Sequence, residues 1–314
     1  MKIVFVVSEK ASSGIAVAPV FPKNTLFGAA KKYWSDSRGQ FAEAAKTTGF
    51  KGETGSTLPL YQPKGSKVPA LFLHGAGKRG DFNAELFAAS ALKEHRTGKA
   101  KTITLHLDGF DLAPEEAARA GLGARLAGYH FFHYRTKLPA GSKTTIGTVR
   151  IVVDDPKAAR AAYQQFFGPV CDGQLLARDL VNEPSNVLYP KAYAERLKEM
   201  TDLGLKVEVL GEKKMTALGM NALVGVGAGS QHESQLVIMK WMGGKKDTAP
   251  VCLVGKGITF DTGGISLKPV QGMWDMKADM GGSAAVVGAM HALASRKAPV
   301  NVIGIVALAE NMPD

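Results

Sequence analysis

Apolar positions along this chain form two alternating patterns. Short apolar runs of strand type lie at residues 2–7, 14–21, 68–74, 102–107 and 146–153. Stretches with helical spacing lie between them. Residues 25–46 carry Leu26, Ala30, Tyr33 and Trp34 at helical intervals. Residues 82–96 predict a helix with Asp81 as its N-cap, and 114–128 predict another that opens at Pro114. Glu115 and Glu116 sit at its positive end, where the helix dipole favours acids. Strands alternating with helices predict an α/β module with a mixed sheet.

Pro156 opens a long helical stretch to about Leu180, which places a domain boundary near 155 and divides the chain into 1–155 and 156–314. Beyond it the alternation continues in more apolar segments. Strands are predicted at 205–210, 222–227, 235–241, 251–255 and 301–308, and covering helices at 191–203 and 282–297. The runs Val251-Cys252-Leu253-Val254 and Val302 to Leu308 lack polar alternation. That pattern predicts strands buried on both faces, as in a mostly parallel sheet covered by helices.

Composition fits this picture. With 314 residues, 45% hydrophobic and 21% charged, the chain is long enough for about two globular domains. The net charge of +11 is unevenly placed: residues 1–150 hold 22 Lys and Arg against 11 Asp and Glu, while the remainder is balanced. Two cysteines, Cys171 and Cys252, are too few for a disulfide scaffold and read as reduced thiols. The N-terminal apolar run is too short for a signal peptide, and no segment approaches a membrane span. A soluble cytoplasmic protein is expected.

The densest candidate chemistry lies at 254–282. An apolar strand runs into a glycine-rich loop carrying Lys256, Asp261 and Lys268, and Asp279 precedes a Gly-Gly pair that opens a helix. Ligands bind beyond the carboxyl ends of strands in α/β sheets. Asp261 and Asp279 are hard oxygen donors suited to a divalent cation. The two lysines would compensate carboxylate charge or, desolvated, act as neutral amines. The same residues also read as a polar loop closed by two solvated ion pairs. Elsewhere, Gly225-Val226-Gly227-Ala228-Gly229 lacks full dinucleotide-loop spacing and reads as a turn after a strand. Gly282-Ser283-Ala284 is no serine-hydrolase elbow, because position 285 is Ala. His130 and His133 lie among aromatics, and packing is favoured over metal binding. Gly75, Gly77 and Gly80 follow a strand and offer a generic phosphate loop.

The run Val254-Gly-Lys-Gly-Ile-Thr-Phe-Asp-Thr-Gly-Gly-Ile-Ser-Leu-Lys-Pro, followed by Met276-Lys-Ala-Asp279-Met, resembles the signature of the leucyl aminopeptidase family of two-metal enzymes. Arg178 to Asn186, Gly225 to Ser230 and Val302 to Pro313 are similar to further family segments. The resemblance covers roughly 150–314 and implies a metallo-aminopeptidase α/β domain behind an N-terminal macro-domain-like α/β/α module. Carried over residue by residue, it implies Lys256, Asp261 and Asp279 as metal ligands, with Asp261 bridging two ions. It implies Lys268 as the catalytic lysine at the developing oxyanion and Met276 as a wall of the substrate pocket. Two divalent ions, zinc or manganese, and a bicarbonate base are implied, with peptides carrying a free N-terminus as substrates and a homo-hexamer as the assembly.

The family's next motif, N-T-D-A-E-G-R, supplies two further carboxylates and the arginine that holds bicarbonate, and it is not among these 314 residues. The catalytic domain is therefore expected to be incomplete and the chain alone weak or inactive. DNA binding by the basic first half is a second reading. Its lysines are scattered without a recognisable reading helix, so a solvated basic face is favoured. ADP-ribose binding, by analogy with macro domains, is a third.

Overall fold

The computed structural model describes residues 1–7, 14–37, 39–64, 67–139 and 141–314, without the side chains of residues 33, 34 and 36. The side chains of Tyr33 and Trp34, named in the helical pattern, thus lie outside the described parts. The chain forms two compact units, Met1–Gly168 and Pro169–Asp314. The boundary expected near 155 falls at the start of the helical stretch that runs into this division.

The first unit comprises β1 (Lys2–Val6), β2 (Ile15–Val20), α1 (Gly28–Asp36), α2 (Gln40–Thr48), β3 (Thr57–Tyr61), β4 (Ala70–Gly75), α3 (Ala84–His95), β5 (Thr102–His106), α4 (Pro114–Ala127), β6 (Thr148–Val152) and α5 (Pro156–Ala162). Among the described residues its sheet has the order β1-β6-β5-β2-β4-β3. All neighbours are parallel except the antiparallel edge strand β3. Phe5, Val17, Ile103, Leu105, Val149 and Ile151 face α3 and α4 on one side. Ala16, Ala18, Leu71 and Leu73 face α1 and α2 on the other. Two apolar faces per strand explain the continuous runs seen in the sequence.

Two expectations change here. Residues 25–46 are two helices rather than one, because Gly39 takes φ 85° between them. Helix α3 is capped by Asn83, whose side chain accepts from the Leu86 amide at 3.0 Å, and Asp81 lies in a preceding turn. His130 and His133 lie on no helix: His130 stacks on Phe132 with ring centroids 4.9 Å apart and bonds Thr144 Oγ1. Their expected aromatic packing is observed.

The second unit comprises α6 (Gly168–Asn182), α7 (Pro190–Lys198), β7 (Lys206–Gly211), α8 (Glu212–Ala217), α9 (Asn221–Gly227), β8 (Gln235–Met242), β9 (Val251–Asp261), α10 (Gly281–Ser295) and β10 (Asn301–Asn311). Its described strands order as β7-β8-β10-β9. Only β9 and β10 are parallel, so this sheet is mixed rather than mostly parallel. The apolar run in β10 is covered on both faces, but β9 is an edge strand with Val251 and Val254 61% and 74% exposed. An apolar run reports hydrophobicity, not which neighbours cover it. The segment expected as a strand at 222–227 is the helix α9, since so short an apolar run fits either element.

Candidate metal centre

Lys256 and Asp261 lie five residues apart on β9, an odd spacing that sends side chains to opposite faces of a regular strand. The pairing with β10 shows why they share a face. Ile258 pairs with Ala309 and Phe260 with Glu310, leaving Thr259 as an extra residue. Lys256 therefore aligns with Ala307 and Asp261 with Asn311, an even spacing on the partner strand. Bulges of this kind re-aim side chains beside functional sites. Thr259 is buried and its hydroxyl donates to the Ala309 carbonyl at 3.3 Å, which anchors the bulge.

Asp279 reaches the same region from a 3-10 turn, Met273–Ala278, that leads into α10. Gly255 permits the approach: a Cβ there would lie 2.6 Å from Ser283 Cα and 2.7 Å from the Gly282 carbonyl oxygen. Strand β9 thus lies against the first turn of α10. The Lys256 ammonium straddles the Asp279 carboxylate, 2.7 Å from Oδ1 and 2.6 Å from Oδ2. Only the Oδ1 contact has hydrogen-bond geometry, and Oδ2 is buried without a donor.

The loop after β9 folds back through a bond from the Lys268 amide to the Thr262 carbonyl, 2.8 Å. Gly263, at φ 95°, makes the turn. Lys268 Nζ is thereby brought 2.5 Å from Asp261 Oδ2. Asp261 Oδ1 accepts from the Gly263 amide at 2.9 Å and from Asn311 Nδ2 at 2.7 Å. Burial alone would raise the Asp261 pKa. The bonds from Lys268, Gly263 and Asn311, with the lysine charge, outweigh it and hold the carboxyl below its ordinary value.

The structure brings the sequence-selected residues together in two ion pairs, Lys256 with Asp279 and Lys268 with Asp261. Met276 is half-buried on the same turn as Asp279, whose amide donates to the Met276 carbonyl at 3.2 Å. Lys277 ties that turn down by donating to the Asn182 carbonyl at 2.9 Å. The Arg178–Asn186 segment therefore ends α6 and clasps the site's turn. Asn311 is the residue sequence reasoning did not single out. Its signal was positional, since the end of a strand pairing β9 must stand beside Asp261.

These donors fit divalent cations. Each carboxylate is faced by an ammonium where a cation would stand, and Asp279 Oδ2 is buried with only the Lys256 charge, outside hydrogen-bond geometry, to meet it. Lys256 is 59% exposed, so the burial expected to favour a neutral amine is not supplied by these residues. Gly75 and Gly77, at and just after the end of β4, offer no free amides for a phosphate cradle. The amides of Gly75, Ala76 and Gly77 all donate to backbone carbonyls, of Ser56, Val20 and Gly52.

Two family models match the chain. That for the catalytic domain of the cytosol aminopeptidase family matches residues 175–314, and that for the family's N-terminal domain matches 17–138. The chain belongs to the cytosol aminopeptidase family. It is 48% identical over 280 residues to a probable cytosol aminopeptidase of Caulobacter vibrioides, covering 88% of this chain and 56% of that protein. To the Nitrobacter hamburgensis protein of the same description it is 44% identical, covering 100% of this chain and 64% of that protein. The chain thus spans little more than half to about two thirds of the length of the curated relatives it matches. Among solved structures, a bottromycin maturation enzyme in complex with Mn is 31% identical with a TM-score of 0.75, covering 96% of this chain and 60% of that one. A tomato leucine aminopeptidase mutant, at 23% identity and TM-score 0.81, covers 99% of this chain and 63% of that one and shares the fold.

Proposed function

We propose that these residues carry part of a two-metal aminopeptidase centre that removes N-terminal residues, leucine-type by preference, from peptides. The observation that carries it is the bulged strand β9, which sets Lys256 and Asp261 on one face, opposite Asp279 and beside Lys268. Lys256, Asp261 and Asp279 would hold the ions, zinc or manganese, with Asp261 shared between them. Bound ions would lower the pKa of a coordinated water and polarise the scissile carbonyl. Lys268 stands ready to donate to the oxygen that gains charge, once Asp261 engages cations instead. Asn311 and the Gly263 amide hold the Asp261 carboxylate in place, and Met276 would wall the pocket for the first side chain. Bicarbonate as a base, a homo-hexameric assembly and a cytoplasmic location are inferences from family membership.

Three ligands are too few to neutralise two dications, so a polypeptide of these 314 residues is expected to be a weak peptidase or inactive. Turnover of leucine-p-nitroanilide with added Mn2+ tests this. The expected result is trace activity that falls further in Lys268→Met. Vigorous turnover with two tightly bound ions would contradict the ligand count. Nucleic-acid binding by the basic first unit is the disfavoured second reading. A gel shift that is sequence-selective and steeply salt-dependent would revive it.

A further inference from the structure

The first unit holds a different cluster of ligand-type side chains. Among the described residues, His74, Glu94 and His95 are the one group of three His, Cys, Asp or Glu residues whose donor atoms converge, all within 4.8 Å of one another. His74 stands near the end of β4, and Glu94 and His95 are the last two residues of α3. Both imidazoles are buried, their side chains 7% and 8% exposed, while Glu94 is 43% exposed.

The two Nε2 atoms face each other at 3.1 Å. The Glu94 carboxylate faces both, with Oε2 3.4 Å from His74 Nε2 and Oε1 3.8 Å from His95 Nε2. A tetrahedral zinc at about 2.0–2.1 Å from each nitrogen separates two imidazole nitrogens by roughly 3.3–3.4 Å. The pair would have to open by only about 0.3 Å to admit an ion at that bond length. Thr57 Oγ1 donates to Glu94 Oε2 at 3.3 Å, and Phe72 lies against the His95 ring at 3.9 Å between centroids, so the donors are oriented from behind.

Electrostatics favours the same occupant. Burial lowers the pKa of both His74 and His95, with Glu94 opposing in each case. Neutral imidazoles offer lone pairs, and a bond between two of them uses only one. The C-terminus of α3, the negative end of its dipole, adds attraction for a cation. His74 and Glu94 also line an open cavity of about 430 Å³ with Ser56, Thr57, Asp81 and Ser90.

We propose that His74, His95 and Glu94 bind one zinc-class transition-metal ion that ties β4 to α3, with its fourth position open to this cavity. The site is separate in composition from the lysine- and aspartate-lined centre on β9. Two imidazoles and one carboxylate suit zinc or cobalt, whereas the β9 donors are harder.

The test uses the full chain carrying Asp261→Asn and Asp279→Asn, which disable the other centre. Zinc content by plasma mass spectrometry after dialysis and visible spectra during Co2+ titration report the site. The expected result is one zinc per chain and an intense tetrahedral cobalt spectrum that zinc abolishes. His95→Gln should weaken zinc binding by more than about 100-fold, beyond the 10–100-fold loss of an outer hydrogen bond. Glu94→Gln, at a position 43% exposed, should weaken it at least tenfold. Nitrogen NMR of the imidazoles should show the Nε2 atoms of His74 and His95 shifting together on zinc addition. A chain that retains no zinc, a zinc content unchanged by Glu94→Gln and His95→Gln, or imidazole signals insensitive to zinc would overturn the proposal and leave a hydrogen-bonded histidine pair.

Discussion

The approach of β9 to α10 makes a strong demand at Gly255. Replacing it with alanine would set a methyl carbon 2.6 Å from Ser283 Cα and 2.7 Å from the Gly282 carbonyl oxygen. Both obstacles are backbone, so no side-chain rotation relieves them. Ordinary contact begins near 3.4 Å, so strand and helix must separate by roughly 0.8 Å. Overpacking of this kind costs about 1–3 kcal/mol. In a unit of roughly 150 residues, such as Pro169–Asp314, it lowers Tm by about 4 °C per kcal/mol. The same shift would draw Lys256 away from Asp279, so cation binding should weaken as well. Gly225→Ala is the matched control. No atom lies within 4 Å of its added Cβ, and the position is inside α9 with ordinary φ. There the change should stabilise by about 0.5–1 kcal/mol through helix propensity. Urea unfolding of both variants measures the two effects. A Gly255→Ala variant within about 0.5 kcal/mol of the parent, with cation binding intact, would refute the close packing argued here.

Two other outcomes follow from single contacts. Asp108 Oδ2 accepts from the Ala29 amide at 2.5 Å in the first turn of α1. Burial would raise its pKa, but the His106 ring, 3.7 Å from Oδ1, and the bond from the Ala29 amide lower it below the ordinary value. Such a carboxylate stabilises fully above its unfolded pKa and loses that contribution as pH falls through its lower folded value. Asp108→Asn should cost about 1–2 kcal/mol at pH 7 and flatten the acid limb of the first unit's stability profile, both read by denaturant titration across pH. Tyr193, fully buried, shares a hydrogen bond with Ser283 at 3.2 Å at the start of α10. Tyr193→Phe should cost about 1 kcal/mol in urea unfolding, without moving metal affinity.

Much of this molecule was legible where one residue type forces one backbone outcome. Pro114 opens α4 and Pro156 opens α5, as their fixed φ predicts. The glycine-rich loop after Asp261 is where a chain must turn sharply to return Lys268 to the strand end. What escaped depended on neighbours. Strand β3 went unread because Pro59 interrupts a short run, which only an edge strand tolerates. The exposure of Val251 and Val254 is set by what lies beside β9, not by their own hydrophobicity. The shared face of Lys256 and Asp261 rests on a one-residue bulge that no local propensity marks. His74 stands some twenty residues before Glu94 and His95 in sequence, and the α/β crossover alone brings the three together.

The most direct test of the central claim is Mn2+ binding to the 314-residue chain, followed by electron paramagnetic resonance, with Asp261→Asn and Asp279→Asn alongside. Manganese is chosen because it prefers the oxygen donors of β9 and its flanking turn. The account predicts saturable binding by the parent chain that either substitution abolishes or weakens at least tenfold. Binding that neither substitution alters would contradict it, because the paired lysines and carboxylates would then be surface ion pairs and nothing more.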